Sequence, residues 1–301
     1  MSQLTSEAKY SQGSLKADFS FIGFFAFLKQ RPLNLFFWLS FLLVVFIQLF
    51  PVWVIGLTSF KTPLSLLEDG SALSLDGLFL GNYQRVLFDD HLWQYVKTSL
   101  IIALSSTFIS VFLGALFAYP LARFSFRGRT FLTMGLLCSR MVPPVALALP
   151  AFLLLRSFGA VDHYLGLILA HTTFNLPFAI WLLLPFFKAL PDDFEASAAM
   201  DGLNTWQTFY LIFLPLVLPG LIVSSIFCFL MSWNDFLYSL ILAGSETRTA
   251  PLAINGYMTS DQIEWGAMTA SSMICLVPVF LLCKYLQNYL IGGVTSGGVK
   301  G

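Results

Sequence analysis

This chain has very little charge. Of its 301 residues only 11% are Asp, Glu, Lys or Arg, 57% are hydrophobic, and the mean hydropathy is +0.79. That balance excludes an ordinary soluble domain, in which about a quarter of the residues are charged. Histidine is almost as scarce. His91, His163 and His171 are scattered, without the Cys and His spacing that holds a metal. Cys138, Cys228, Cys275 and Cys283 fall inside or at the ends of apolar runs and read as small apolar packers. A glycine-rich phosphate loop is also missing. The nearest string, Gly292 to Gly301, lacks the Gly-Lys-Ser/Thr ending and a following helix, so the chain is not expected to hydrolyse ATP. No basic cluster with interleaved aromatics argues for nucleic acid. Neither a fixed-period repeat nor strict apolar–polar alternation is visible, which leaves an inverted-repeat carrier and a β-barrel without support.

Long uncharged runs are what the chain does have. A helix needs about 20 apolar residues to cross a bilayer. Pro32–Phe60, Thr98–Ala122, Tyr164–Phe187 and Trp265–Cys283 carry no charge at all. Thr130–Leu155 carries only Arg140, and Gly202–Gly244 only Asp235. These runs predict six helical spans, and an even number puts both termini on one side. Ten basic residues, Arg123, Arg127 and Arg129 among them, flank that side and five flank the other, so the termini are expected in the cytoplasm. The expected divisions are a cytoplasmic N-terminal tail over 1–31, a first span with an external segment over 32–97, a five-helix core over 98–290, and a flexible cytoplasmic tail over 291–301. The run after Arg31 is too long for a signal peptide and lacks a small-residue cleavage site. Trp93 and Tyr95 read as interfacial aromatics, and the thirty-two phenylalanines as lipid-facing surface.

Two charges lie inside the runs. Arg140 precedes Met141-Val142-Pro143-Pro144, where prolines free backbone carbonyls. It is either part of a hinge or pathway lining, or a charge satisfied by those carbonyls. Asp235 lies in Trp233-Asn234-Asp235-Phe236, and its sign makes a pair with Arg140 across the bundle an open expectation. Asn and Asp can bond to sugar hydroxyls, and aromatic faces can stack on sugar rings. Polar residues at such positions equally serve to hold helices together.

The densest acidic stretch is Leu190–Gly220, with Asp192, Asp193, Glu195 and Asp201 among the sixteen acids of the chain. It predicts two short helices. Pro191 suits a first helical position, the acids face the positive end of the helix dipole, and Gly202 is a terminator. Asn204 and Gln207 then form a capping box for a second helix that carries Trp206, Phe209 and Tyr210.

The string E-A-S-A-A-M-D-G from Glu195 to Gly202, followed by F-Y-L-I-F-L-P to Pro215 and by Pro219, resembles the EAA loop of binding-protein-dependent ABC transporter permeases. In that family the loop is a helix-turn-helix that docks into a cleft on a cytoplasmic ATPase. The resemblance implies Glu195, Ala196, Ala198, Asp201, Gly202, Leu203 and Pro215 as coupling positions. Many relatives carry two adjacent acids where this chain has Glu195 and Ala196. Trp233-Asn234-Asp235-Phe236 is similar to the W-N-x-F string of the carbohydrate branch, which implies Trp233, Asn234, Asp235 and Tyr238, with Arg140, as pathway residues.

The resemblance, to the second permease of maltose-type systems, implies an all-α polytopic membrane protein with six transmembrane helices in an ABC importer permease-like bundle. It would sit in a bacterial-type inner membrane. The chain would form half of a pathway for a sugar or polyol, and would itself be no enzyme. Implied partners are a second permease, two ATPase subunits, an external solute-binding protein and membrane lipid. No cofactor is implied in this chain, since ATP and Mg would sit on the ATPases. A non-carbohydrate solute such as a glycerol phosphate stays open. An ion-coupled secondary carrier would have only Arg140 and Asp235 as ion sites, and a membrane enzyme would need a catalytic cluster that is not apparent.

Overall fold

The computed structural model describes residues 32–68 and 78–298, with side chains over 36–66 and 78–284. The expected N-terminal tail over 1–31, part of the expected external segment (69–77) and the last residues (299–301) lie outside the described residues. Two compact units divide the chain, Met1–Val54 and Ile55–Gly301. In the first, helix α1 (Pro32–Ser59, as far as Val54) exposes apolar side chains all round, from Phe36 at 74% to Trp53 at 60%. A helix hydrophobic on every side with little buried suits lipid.

The second unit runs through α2 (Pro63–Glu68), α3 (Gly81–Gln84) with a π-helical turn at Arg85–Asp89, and the long α4 (Leu92–Arg123). Then come α5 (Arg129–Met141), α6 (Pro144–Ser157), α7 (Tyr164–Lys188) and α8 (Asp193–Met200). Helix α9 (Thr205–Thr208) passes through a π-helical turn at Phe209–Phe213 into α10 (Leu214–Leu216). The chain ends with α11 (Leu218–Trp233), α12 (Leu237–Leu242), α13 (Ala250–Asn255) and α14 (Trp265–Gly298). Among the described residues there is no strand, only an isolated antiparallel bridge between Met258 and Ile263. Helix α14 continues to Gly298, into residues that the sequence reading assigned to a flexible tail from 291.

Four helices are long and apolar enough to span a bilayer: Phe36–Ser59 of α1, α4, α7, and Trp265–Lys284 of α14. The other two expected spans are broken. Helices α5 and α6 meet at 97° across Val142 and Pro143, and Thr205–Leu216 meets α11 at 75°. Proline explains both breaks, since it has no N–H to donate and its ring clashes with the preceding turn. The run Gly202–Gly244 is divided again at Asn234–Phe236, between α11 and α12.

Helices α4, α7 and α11 form the centre. Along α4 the buried positions are mostly small or hydroxylic, including Ala103, Ser106, Ser110, Gly114 and Ala118. A methyl group added at Gly114 would meet the Ala179 side chain at 2.9 Å, so the two backbones are already in close approach there. Lipid offers no hydrophobic drive for helix association, and small residues with interhelical hydrogen bonds replace it. Asn175 supplies such bonds, from Nδ2 to the Ser232 hydroxyl at 2.8 Å and to the Cys228 carbonyl at 3.2 Å. The Ser232 and Ser106 hydroxyls lie 2.9 Å apart and close the three-helix network.

Candidate functional site

The loop from Leu190 folds as two short helices, as its sequence predicts. Asn204 accepts from the Gln207 amide at 2.9 Å while the Gln207 side chain accepts from the Asn204 amide at 2.9 Å, which completes the capping box. Gly202 ends the first helix with φ of +76°. A Cβ there would meet nothing within 4 Å, so this glycine is needed for its left-handed backbone and not for close packing. Helix α8 begins at Asp193, not at Pro191. The reason is that the Leu190 and Pro191 carbonyls are drawn to a residue the sequence reading did not include in the site.

That residue is Arg123, at the end of α4, whose side chain is only 5% exposed. Its Nε and Nη2 donate to the two carboxylate oxygens of Glu195, its Nη1 to the Leu190 carbonyl at 2.7 Å, and Nη2 also to the Pro191 carbonyl at 3.2 Å. Asp192 adds an exposed ion pair at 2.9 Å, and the guanidinium lies 5.2 Å from the Phe213 ring centre. A two-pronged arginine–carboxylate contact fixes geometry as well as charge. Glu195, expected to face a partner, is therefore turned inward and ties α8 to α4. Phe194 adds an edge contact to Phe213 at 6.5 Å. Below it, Tyr119 packs its ring against Phe124, Phe187, Phe209 and Phe213.

The other expected coupling positions divide by exposure. Ala198 is buried, and its carbonyl accepts from the Leu203 amide at 3.0 Å. Leu203 is half-buried, while Ala196, Asp201, Gly202 and Pro215 are exposed. Around them stand apolar side chains in the open, with Met200 83% and Trp206 65% exposed and Tyr210 beside them. Met200 was missed because a methionine between alanine and aspartate has no pattern of its own.

The five expected pathway residues do not converge on one cavity. Arg140, Asp235 and Tyr238 line a cavity of about 280 Å³ with Ser139, Pro144, Thr173, Pro177 and Met231. Trp233 and Asn234 line another, of about 540 Å³, between α11, α13 and α14. The chain leaves the helix at Trp233, so neighbouring residues turn to opposite faces. Trp233 stacks on Phe229 at 5.6 Å, and the Asn234 side-chain Nδ2 donates to the Leu230 carbonyl at 2.9 Å.

Arg140 and Asp235 share the first cavity yet are not each other's ion pair among the described residues. The Arg140 guanidinium lies 4.3 Å from the Phe178 ring centre, and its Nη1 donates to the Phe174 carbonyl at 3.3 Å. The Asp235 Oδ2 accepts from the Ser239 amide at 3.1 Å and hydroxyl at 3.3 Å, and lies 3.4 Å from His171 Nε2. Asp235 thus closes the first turn of α12, at the second break in the run Gly202–Gly244. Tyr238 is buried among Ile102, Leu155, Leu167 and Ala170 and stacks on Phe174 at 5.6 Å. No group of three or more His, Cys, Asp or Glu able to hold a metal occurs among the described residues.

At the opposite end of α7, Asp162 takes φ of +59° and ties two loops together. Its carboxylate accepts from the amides of Gly244, Glu246 and Thr247 and from the Thr247 hydroxyl, at 2.8–3.3 Å. Burial alone would raise its pKa, but these four donors outweigh it and hold the carboxyl below its ordinary value.

Residues 110–295 match the family described as "Binding-protein-dependent transport system inner membrane component". The chain is 37% identical over 263 residues to "Trehalose transport system permease protein SugB" of Mycobacterium tuberculosis, covering 86% of this chain and 95% of that protein. It is 32% identical over 265 residues to "Trehalose/maltose transport system permease protein MalG" of Thermococcus litoralis, covering 86% and 94%. Among solved structures it superposes on a chain of a bacterial ABC transporter involved in the import of the acidic polysaccharide alginate. The TM-score is 0.72 at 20% identity, covering 85% of this chain and 96% of that one.

Proposed function

The chain belongs to the binding-protein-dependent transport system inner membrane components, transport subunits and not enzymes, and from that premise we propose that it forms half of the translocation pathway of an ATP-driven sugar or polyol importer. The single observation that carries the coupling half of this reading is the loop itself. It presents Met200, Trp206 and Tyr210 around Gly202 on the outside, while Arg123 and Glu195 clamp its inside to a spanning helix. A partner ATPase that moved this loop would move α4 and α11 with it, and the break at α10–α11 would turn that movement into a change of pathway access.

The carbohydrate half rests on the names of the relatives and on the chemistry of the Arg140–Asp235 cavity, where charged, hydroxyl-bearing and ring-bearing side chains share one wall. Six spans are counted by taking each bent pair as one, with both termini and the loop on the cytoplasmic face of a bacterial inner membrane. A second permease completes the pathway, an external binding protein delivers the solute, and two ATPases hold ATP and Mg²⁺. Asp235→Asn in the reconstituted complex is expected to lower sugar uptake about tenfold, the loss of one charge-assisted contact, with assembly intact. Unchanged uptake would remove Asp235 from the pathway.

A further inference from the structure

His171 sits on α7, one turn before Asn175 and on the same face, and it is 1% exposed. Neither ring nitrogen has a hydrogen-bond partner, although both are buried. Nε2 stands 3.4 Å from Asp235 Oδ2, within ion-pair reach, and that carboxylate is only 10% exposed. Buried polar groups are nearly always satisfied, so an orphaned imidazole aimed at a carboxylate calls for a reason. Asp235 Oδ2 already receives both Ser239 donors, whereas Oδ1 has no protein partner among the described residues and belongs to a side chain lining the cavity.

We propose that His171 is a positioning residue: its Nε2 fixes the Asp235 carboxylate at the cavity wall so that Oδ1 is free to accept hydroxyl hydrogen bonds from a polyhydroxylated solute. This rests on the pathway reading given above and adds a second residue to it. Beyond the two Ser239 donors, His171 is the one other polar partner of Asp235 among the described residues. Helix α4 is uncharged from Thr98 to Ala122 and α6 from Pro144 to Leu155. Arg140 is engaged by the Phe174 carbonyl and the Phe178 ring, Tyr238 stacks on Phe174, and Cys228 sits by Asn175. With His171 absent, the Asp235 carboxylate keeps only the two Ser239 donors and is expected to lose its fixed direction.

The test uses the assembled transporter in proteoliposomes, with His171→Leu and His171→Gln, the second of which keeps an N–H donor. One arm measures thermal unfolding of the solute-free complex for His171→Leu, Asp235→Asn and the double variant, where two residues in contact give effects that do not add. The other measures uptake of radiolabelled trehalose and maltose. His171→Leu is expected to be non-additive with Asp235→Asn and to lower uptake about tenfold, and His171→Gln to restore uptake to within about threefold of the starting protein. Additive unfolding effects with uptake unchanged in His171→Leu would overturn the proposal. So would equal loss of uptake in the Leu and Gln proteins with assembly intact, because that is the signature of packing alone. If the unfolding effects are non-additive but Asp235→Asn transports normally, the pair stands and the pathway reading fails.

Discussion

A guanidinium carries five N–H donors in a rigid fork, and Arg123 spends its fork on both oxygens of Glu195, on the carbonyls of Leu190 and Pro191, and on Asp192. Lysine could keep the charge but not this pattern. Arg123→Lys and Arg123→Ala are therefore both expected to free the loop, each losing roughly 2 kcal/mol of local stability. The loss would show as faster proteolysis within residues 189–204 and uptake reduced about tenfold; a lysine protein with the original protease resistance would contradict the fork as the cause. Glu195 was legible in the sequence as a member of the loop but not in its direction. Its partner lies 72 residues away, and nothing local tells an acid that faces a partner protein from one that faces its own chain. His171 was hidden for the same reason, since its significance comes only from Asp235 on another element.

Among the elements, four of the uncharged runs fall on helices long enough to span a bilayer, because length and lack of charge are local properties. The bends were harder to read. Pro143 and Pro144 are compatible with either a kinked helix or a full break, and the structure has a 97° turn between α5 and α6. The clamp at Asp162 was invisible, because three of its four donors are backbone amides that any residue possesses. Since the folded carboxyl titrates below its ordinary value, the clamp contributes stability above the unfolded value, about 3.9, and loses it only as pH falls through the lower folded value. From pH 6 to 8, then, the 244–247 loop is expected to hold steady, whereas Asp162→Ala should speed amide exchange at Gly244 and Thr247 about tenfold at pH 7. Equal exchange in both proteins would show that the loop is held by other contacts.

For the whole molecule, small residues on α4 and hydrogen bonds among α4, α7 and α11 hold a centre that lipid cannot drive together, and two broken runs join that centre to a loop at one end and a cavity within. The loop motif was legible because it spans more than twenty consecutive positions. The cavity was not, because α11 ends at Trp233 and sends Asn234 and Asp235 to different faces. If the loop receives movement from an ATPase, a cysteine crosslink from it should report that movement. Asp201→Cys places a thiol on the exposed turn next to Gly202 without touching the Arg123 clamp. In a membrane holding the assembled complex, this position should crosslink to the ATPase subunit with a yield that changes at least twofold when ATP is added. A correctly inserted protein that gave no crosslink to any ATPase, or a yield indifferent to ATP, would contradict the coupling role of the loop.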